Sequence, residues 1–149
     1  VLHAENLTVT GHNCTSSMII LRGFGSFTNC TFTDNHCGGN GILHYDSGDD
    51  ETKGLTIHGC TFSNNAVKSN IGYVATLNIG PRRNCVITNN IIQNNTVEST
   101  VTTQTITGGL LICCPATITG NTITGNTPTD VYKEDTYGPI DLTNNTIGN

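Results

Sequence analysis

The residues best suited to chemistry in this sequence are the acidic side chains of one short segment and a pair of adjacent arginines. The acids are Asp46, Asp49, Asp50 and Glu51, and the arginines are Arg82 and Arg83. Carboxylates that converge with a cation can bind a sugar and transfer protons during cleavage of a glycosidic bond. The acids could also hold Ca²⁺, but the segment lacks the ordered Asp-x-Asp-x-Asp-Gly spacing of a calcium loop. A solvated loop tip is the simpler interpretation, and a carbohydrate site is the alternative.

Cysteines form the second reactive group, with seven in 149 residues. They are Cys14, Cys30, Cys37, Cys60, Cys85, Cys113 and Cys114. The chain contains no C-x-x-C pair, so the ligand spacing of a zinc site is missing. Its five histidines also lack the short spacings that would place two of them on one metal. Disulfides of an extracellular protein explain the cysteines better, and we expect no metal and no other cofactor.

Composition restricts the class of protein. Only 11% of the residues are charged and the net charge is −5, whereas nucleic-acid binding normally needs a clustered basic surface. The polar residues are mainly Thr, Asn, Ser and Gly, which favour strands and turns over helices. No apolar run approaches the roughly 18–20 residues that span a membrane. These features predict one all-β domain over residues 1–149, with no nucleic-acid partner and no membrane span.

A short sequence motif, called the phrase below, recurs along the chain. The strands that it forms must position any reactive side chain. Its clearest copies are LTIHGCTFSNN (55–65), CVITNNIIQNNT (85–96) and ATITGNTITGNT (116–127). Aligning the copies places two apolar residues, five positions apart, in two columns. The first column contains Val9, Phe27, Ile57, Ile87, Ile118 and Leu142, and the second contains Cys14, Phe32, Phe62, Ile92, Ile123 and Ile147. Spacings of 18, 30, 30, 31 and 24 residues between copies indicate a solenoid in which loops absorb the differences.

Within each copy, polar and apolar residues alternate on both sides of a Gly/Asn bend, which predicts two short strands with one buried face each. Coils about 4.8 Å apart would stack the apolar residues into a continuous core. Asparagines at Asn89, Asn121 and Asn145, with their neighbours, would hydrogen-bond along the axis. Apolar patches predict a third strand per coil, at 18–21, 41–45, 73–79 and 109–114. The predicted fold is a parallel β-helix, or β-solenoid, of about six coils with three parallel sheets.

The phrases resemble the repeats of right-handed parallel β-helix proteins, the class that includes pectin lyase-like enzymes and many surface proteins. Residues 32–35 (FTDN) and 62–65 (FSNN) are similar to the F-x-x-N motif of polymorphic outer membrane protein repeats. Residues 38–42 (GGNGI) and 108–112 (GGLLI) resemble the accompanying G-G-x-x-I element, although later coils carry Ile in place of Phe. The resemblance implies a right-handed, surface-exposed repeat protein. It implies no single activity, because this fold hosts both enzymes and inert stalks.

Outward strand positions are rich in threonine. One predicted ladder contains Thr10, Thr28, Thr88, Thr119 and Thr143, with His58 interrupting it. Such an array resembles the T-x-T face of ice-binding solenoids. Threonine also suits any exposed strand because its Cβ is branched, so ordinary strand threonines are the simpler interpretation.

Five N-x-[ST] sequons are candidates for glycosylation if the protein is secreted by a eukaryote. They begin at Asn6, Asn13, Asn29, Asn94 and Asn144. In a chain so rich in Asn, Ser and Thr, chance alone produces a similar number, so the sequons do not establish glycosylation.

Stacking of the coils also predicts disulfide pairs. Cys30 and Cys60 fall in one column of neighbouring coils, where Cα atoms lie roughly 5 Å apart, within the range that a disulfide accepts. The other predicted pairs are Cys85 with Cys113 or Cys114, and Cys14 with Cys37.

The sequence therefore predicts a non-catalytic extracellular or cell-surface module, either a stalk, an adhesive repeat or a fibre-forming subunit. Neither end shows an amphipathic helix or a charged covering segment, so we expect either end-to-end stacking with copies of itself or a fragment of a longer solenoid. Other surface proteins and glycans are further candidate partners. The alternatives are a carbohydrate-active β-helix enzyme, either a polysaccharide lyase or a hydrolase, and an ice-binding solenoid.

Overall fold

Short strands follow one another in coils around a common axis. The computed structural model describes residues 1–46, 54–80, 85–101 and 105–149. The first coil contains β1 (Leu2–Glu5), β2 (Thr8–Thr10) and β3 (Ile19–Leu21). The second contains β4 (Gly25–Thr28), β5 (Thr31–Thr33), β6 (His36–Cys37) and β7 (Leu43–Tyr45). The third contains β8 (Leu55–His58), β9 (Thr61–Ser63), β10 (Ala66–Ser69) and β11 (Leu77–Ile79).

The later coils repeat this order. The fourth contains β12 (Cys85–Thr88), β13 (Ile91–Gln93), β14 (Thr96–Ser99) and β15 (Leu110–Ile112). The fifth contains β16 (Ala116–Thr119), β17 (Thr122–Thr124) and β18 (Val131–Lys133). A 3₁₀ helix (Asp135–Tyr137) then leads to β19 (Thr146–Ile147), the only strand of a partial sixth coil. No helix in the described ranges is long and apolar enough to cross a membrane.

All described strand pairs are parallel, and the fold is a parallel β-solenoid, as predicted. The sheets run β1-β4-β8-β12-β16 (first sheet), β2-β5-β9-β13-β17-β19 (second sheet), β6-β10-β14 (third sheet) and β3-β7-β11-β15-β18 (fourth sheet). The prediction of three sheets was therefore wrong, since the described strands form four. The strands of the third sheet each bury one residue, Cys37, Val67 or Val97, and a single apolar residue shows no alternation in a sequence.

The register of the first coil also differs from the prediction. Ala4, and not Val9, pairs with Phe27, while Val9 pairs with Phe32 in the second column. Leu2 pairs with Gly25, so the first coil has 23 residues rather than 18. The alignment slipped because Ala4 is too small to stand out as a core residue. Cys14 consequently belongs to neither apolar column.

The remaining members of the two columns form the core, as predicted. The buried residues of the first column are Phe27, Ile57, Ile87 and Ile118, and those of the second are Phe32, Phe62, Ile92 and Ile123. The rings of Phe32 and Phe62 stack at a centroid distance of 5.0 Å with planes 9° apart. Stacking of equivalent residues makes the core continuous from coil to coil, because parallel strands in register place them directly above one another.

Each coil turns sharply after its first and second strands. The first bend is made by Asn6, Asn29, Gly59, Asn89 and Gly120, with φ between 53° and 71°. Asparagine and glycine adopt this left-handed conformation at the lowest cost. At Gly120 the carboxamide oxygen of Asn89 also occupies the space that a Cβ would need. The recurring Gly/Asn pairs are therefore explained by backbone geometry.

From the second coil on, the residue after each bend is buried or half-buried and links neighbouring coils. The residues after the first bend form a first ladder of Cys30, Cys60, Asn90, Asn121 and Asn145. The residues after the second bend form a second ladder of Asn35, Asn65, Asn95 and Asn126, which ends at Asp130. In the second ladder the side-chain oxygens of Asn65, Asn95 and Asn126 each accept from the backbone N–H and the Nδ2 of the asparagine in the preceding coil, at 2.9–3.1 Å. Asp130 Oδ1 accepts from the same two groups of Asn126 in its own coil, at 2.8 and 2.7 Å. The predicted stacking of asparagines is thus confirmed, although Asn90 takes the place predicted for Asn89, which makes the bend.

Candidate functional site

The threonine ladder is shorter than predicted. Thr28, Thr88 and Thr119 occupy one outward column of the first sheet, with His58 between Thr28 and Thr88. Thr10 instead pairs with Thr33 in the second sheet, because the first coil is shifted by one column. Thr143 lies in a turn, outside any strand. The two ends of the predicted ladder were therefore wrong.

The second sheet carries the larger array of outward hydroxyl groups. One column contains Thr8, Thr31, Thr61, Ile91, Thr122 and Thr146, and the other contains Thr10, Thr33, Ser63, Gln93 and Thr124. The Ser63 hydroxyl donates to Thr33 Oγ1 at 3.2 Å. Ile91 interrupts the first column and Gln93 interrupts the second, and both residues lie on β13. This face presents rows of hydroxyl groups along the strands.

A concave site lies instead on the outer face of the fourth sheet. The tyrosine cleft, as we call it, has a volume of about 330 Å³ and is lined by His44, Asp46, Tyr73, Asn78, Glu134 and Tyr137, among others. Its floor is formed by outward-facing residues of consecutive strands, His44 of β7, Asn78 of β11 and Leu111 of β15.

Hydrogen bonds hold the walls of the cleft in place. Asn78 Nδ2 donates to the carbonyl oxygen of Tyr73 at 2.8 Å and to that of Asn40 at 3.3 Å. On the other side, the backbone N–H of Glu134 donates to the carbonyl oxygen of Ile112 at 3.0 Å. The Thr136 hydroxyl donates to Glu134 Oε1 at 2.8 Å. The loops that carry the two tyrosines are therefore tied to neighbouring strands and loops.

His44 has an unusual environment for a histidine. Burial lowers its pKa below the ordinary value, and nearby Arg22 adds to this effect while Asp46 opposes it. Its Nδ1 atom is buried and has no hydrogen-bond partner among the described residues. Buried polar atoms of this kind are rare enough in proteins that each needs an explanation.

Of the residues predicted to form a carbohydrate site, only Asp46 lies in the described ranges. Asp46 lines the tyrosine cleft. Asp49, Asp50, Arg82 and Arg83 lie outside the described residues. Sequence reasoning did not find Tyr73, Asn78, Glu134 or Tyr137, because they lie outside the repeated phrase and no motif joins them. Within the described ranges, no three His, Cys, Asp or Glu side chains are grouped as metal ligands would be.

The cysteines fall into two structural groups. Cys14 Sγ lies 2.7 Å from Cys37 Sγ, beside an open cavity of about 450 Å³, and Cys114 Sγ lies 3.6 Å from Cys85 Sγ. Burial, together with the hydrogen bond from Cys14, raises the pKa of Cys37 to about 12. The pKa of Cys85 is raised by the hydrogen bond from Cys114 and by burial. No two sulfur atoms are bonded to each other.

Cys30 and Cys60 occupy ladder positions instead. Cys60 Sγ accepts from the backbone N–H of Cys30 at 3.3 Å. The two thiols donate to carbonyl oxygens of the preceding coil, those of Ala4 and Phe27, at 3.5 and 3.4 Å. Both sulfur atoms thus point the same way along the axis, and a bridge between them would break these ladder contacts.

Refolding of the denatured protein in the presence of a small disulfide such as oxidised glutathione should produce two bridges, Cys14–Cys37 and Cys85–Cys114, whereas in the folded chain Cys85 and Cys114 are buried away from the oxidant. Each bridge forms one S–S bond and releases two hydrogen atoms, which reduce one molecule of the oxidant to two thiols. Peptide mapping by mass spectrometry should locate them. The Cys14–Cys37 bridge closes a span of 23 residues, which corresponds to about 3 kcal/mol of stabilisation.

A matched control is Cys14→Ser, which should remove the first bridge and leave the second. A Cys30–Cys60 bridge, or seven unmodified thiols after oxidation, would contradict this assignment. The predicted bridges involving Cys113 are less favourable, because its thiol lies 3.8 Å from Glu134 Oε2. Burial, with smaller contributions from Glu134 and Cys114, raises the Cys113 pKa to about 11.

All five sequon asparagines are exposed. They are Asn6, Asn13, Asn29, Asn94 and Asn144. Three of them, Asn6, Asn29 and Asn94, stand at bends with positive φ. The solenoid therefore leaves each side chain open to solvent, and their glycosylation stays a prediction.

Comparison with protein families, with curated proteins and with solved structures finds no match for this chain. The functional argument therefore depends on the fold and on the geometry of its surfaces.

Proposed function

We propose that this chain is a non-catalytic extracellular structural or adhesive β-solenoid, a surface stalk or fibre subunit that associates end to end with copies of itself. The observation that carries the proposal is the parallel stacking of the coils in register, which the coils of another copy can continue. The outward hydroxyl-rich sheets and the exposed sequons support a surface setting. The F-x-x-N phrases, which resemble repeats of polymorphic outer membrane proteins, support it too.

Inward-pointing residues of the first coil remain exposed. Leu2 shares a column with Leu55, yet Leu2 is 38% exposed and Leu55 is 1% exposed. Leu7 occupies the position of Cys30 in the next coil and is 42% exposed, against 1% for Cys30. Stacking one more coil on this face would remove apolar surface from water, which is the main driving force for association.

The strand edges at the same face support stacking as well. In the described sheets, β1, β2 and β3 each pair with a strand on one side only. Such an edge can accept another chain's strand. A head-to-tail contact of this kind repeats without closing and generates a filament when its rotation does not close a ring. Copies of the same chain are the proposed occupants because their coils share the spacing and the register.

The proposal is tested by the effect of Leu7→Lys on self-association. A lysine there would place a charge against the apolar face of the stacked copy, so assemblies seen for the unaltered protein by sedimentation and electron microscopy should dissociate into monomers. Ile91→Lys is the matched control, since Ile91 is 41% exposed, much as Leu7 is, but points outward from β13 in the fourth coil, between two paired strands. It should leave the assemblies intact.

Two results would contradict the proposal: a monomer at every concentration of the unaltered protein, or equal effects of the two lysines. The alternative functions have separate tests. Cleavage of polysaccharides by the purified protein would favour the lyase or hydrolase, and inhibition of ice recrystallisation would favour the ice-binding solenoid.

A further inference from the structure

The fourth sheet differs from the others in what covers its outer face. Outward residues of the first and second sheets are exposed to solvent. For example, Val86 of the first sheet is 37% exposed and Ile91 of the second sheet is 41% exposed. In the fourth sheet the outward residues Asn78 and Leu111 are 3% and 1% exposed. Loops before β11 and after β18 therefore lie over this face. Loops placed on a rigid scaffold commonly carry binding residues.

We propose that the tyrosine cleft binds a neutral saccharide. This inference rests on the adhesive function proposed above and would supply its ligand site. The arrangement that carries it is two half-exposed tyrosines from different loops on the walls of one concavity, together with carboxylate, carboxamide and imidazole groups.

The tyrosines supply the apolar part of the site. Tyr73 is 50% exposed and Tyr137 is 46% exposed, and both line the cleft. An aromatic ring offers a flat apolar face with a hydroxyl at its edge. A sugar ring has the complementary form, because its C–H groups make an apolar face and its hydroxyl groups lie around the rim. Leu111 adds apolar surface at the floor.

The polar groups of the cleft can form hydrogen bonds with the hydroxyl groups of a sugar. The carboxylates of Asp46 and Glu134 can accept from sugar hydroxyl groups, and bonds to charged groups are the stronger ones. His44 lies at the floor of the cleft, but its Nδ1 atom is buried, so the carboxylates and not this atom are the groups that meet the sugar hydroxyls. Asn78 already uses its Nδ2 to hold the loops, so it contributes to the rigidity of the site.

Charge decides which class of saccharide fits. The charged side chains that line the described part of the cleft are both carboxylates, and they would repel the carboxylate of a uronic acid. Burial lowers the pKa of His44, so its imidazole is neutral at pH 7 and offers no compensating charge. A volume of about 330 Å³ falls at the small end of the range for ligand pockets, which suits a short oligosaccharide.

The test is calorimetric titration of the full 149-residue chain with chitotriose, cellotriose and mannotriose as neutral probes and with trigalacturonate as the acidic probe. At least one neutral probe should bind, and trigalacturonate should bind more weakly. Tyr73→Ala and Tyr137→Ala should each weaken binding by about tenfold, since each removes one stacking surface.

Tyr132→Ala is the matched control. Tyr132 is an exposed tyrosine on β18 of the same sheet and does not line the cleft, so its loss should leave the affinity unchanged. The inference is overturned if no neutral probe binds, if trigalacturonate binds as well or better, or if Tyr132→Ala weakens binding as much as the cleft variants do. Tyr73 and Tyr137 lie away from the first coil, so sedimentation of these variants reports separately on end-to-end assembly.

Discussion

Replacing Phe62 with alanine should lower the free energy of unfolding by about 3–5 kcal/mol, the usual cost of truncating a buried phenylalanine. Phe62 is fully buried, and its ring stacks on that of Phe32 in the coil below. Phe32 in turn packs edge-on against Phe27 at 6.3 Å. The truncation would therefore open a cavity inside a stack of three aromatic rings, where the parallel strands leave little room for collapse.

Denaturant unfolding followed by circular dichroism would measure this loss, with Thr61→Ala as the matched control. Thr61 lies on the same strand and points outward, so its truncation should change the stability by no more than about 0.5 kcal/mol. A loss below about 1 kcal/mol for Phe62→Ala would mean that the inward and outward faces are exchanged, because a slip of one residue turns a whole strand over.

Removing the side chain of Asn65 should destabilise the protein by about 2–6 kcal/mol. Its Oδ1 accepts from the backbone N–H and Nδ2 of Asn35, at 3.0 and 3.1 Å. Its Nδ2 donates to the carbonyl oxygen of Phe32 at 3.0 Å. Asn65→Ala leaves the Asn35 N–H and the Phe32 carbonyl without these partners in a buried site, and each unsatisfied group costs about 1–3 kcal/mol.

The adjacent Asn64 provides the control. It is exposed and has a φ of 55° at the second bend, and glycine adopts that conformation without strain. Asn64→Gly should therefore change the midpoint of denaturant unfolding only slightly. Similar losses for Asn64→Gly and Asn65→Ala would show that the bend, rather than the amide ladder, holds neighbouring coils together.

The predictability of the fold varied along the chain with the strength of its local pattern. The coils that carry two large apolar residues five positions apart, such as Ile87 and Ile92, were placed correctly. The first coil was displaced because Ala4 occupies the core position of its first strand. The third sheet was missed because its strands bury a single residue each. Alternation is visible in a sequence only when at least two inward residues contrast with their neighbours.

The candidate site was harder to predict than the fold. Asp46 was recognised as a reactive residue, and the structure places it in the tyrosine cleft. The residues that meet it there come from several coils, from β7 to the 3₁₀ helix. Tyr73 and Glu134 are 61 positions apart in the chain, and no spacing rule connects them.

The sequence by itself determined the stacked parallel strands, the inward columns and the Gly/Asn bends, because each depends on residue type at a local position. A strand with one apolar face buries that face in any coil, and a left-handed bend favours Asn or Gly, with Asp34 as the one aspartate at such a bend in the described residues. Only the tertiary structure decided the neighbours of residues outside the repeats. The lengths of the loops set which coil each loop covers, and the loops place Tyr73 and Tyr137 in the lining of one cleft. The stacking of coils also separates the cysteines, because it places each side chain against the residue in register in the neighbouring coil. Cys14 of the short first coil therefore lies against Cys37 of the second coil. Cys30 and Cys60 instead replace asparagines in a ladder.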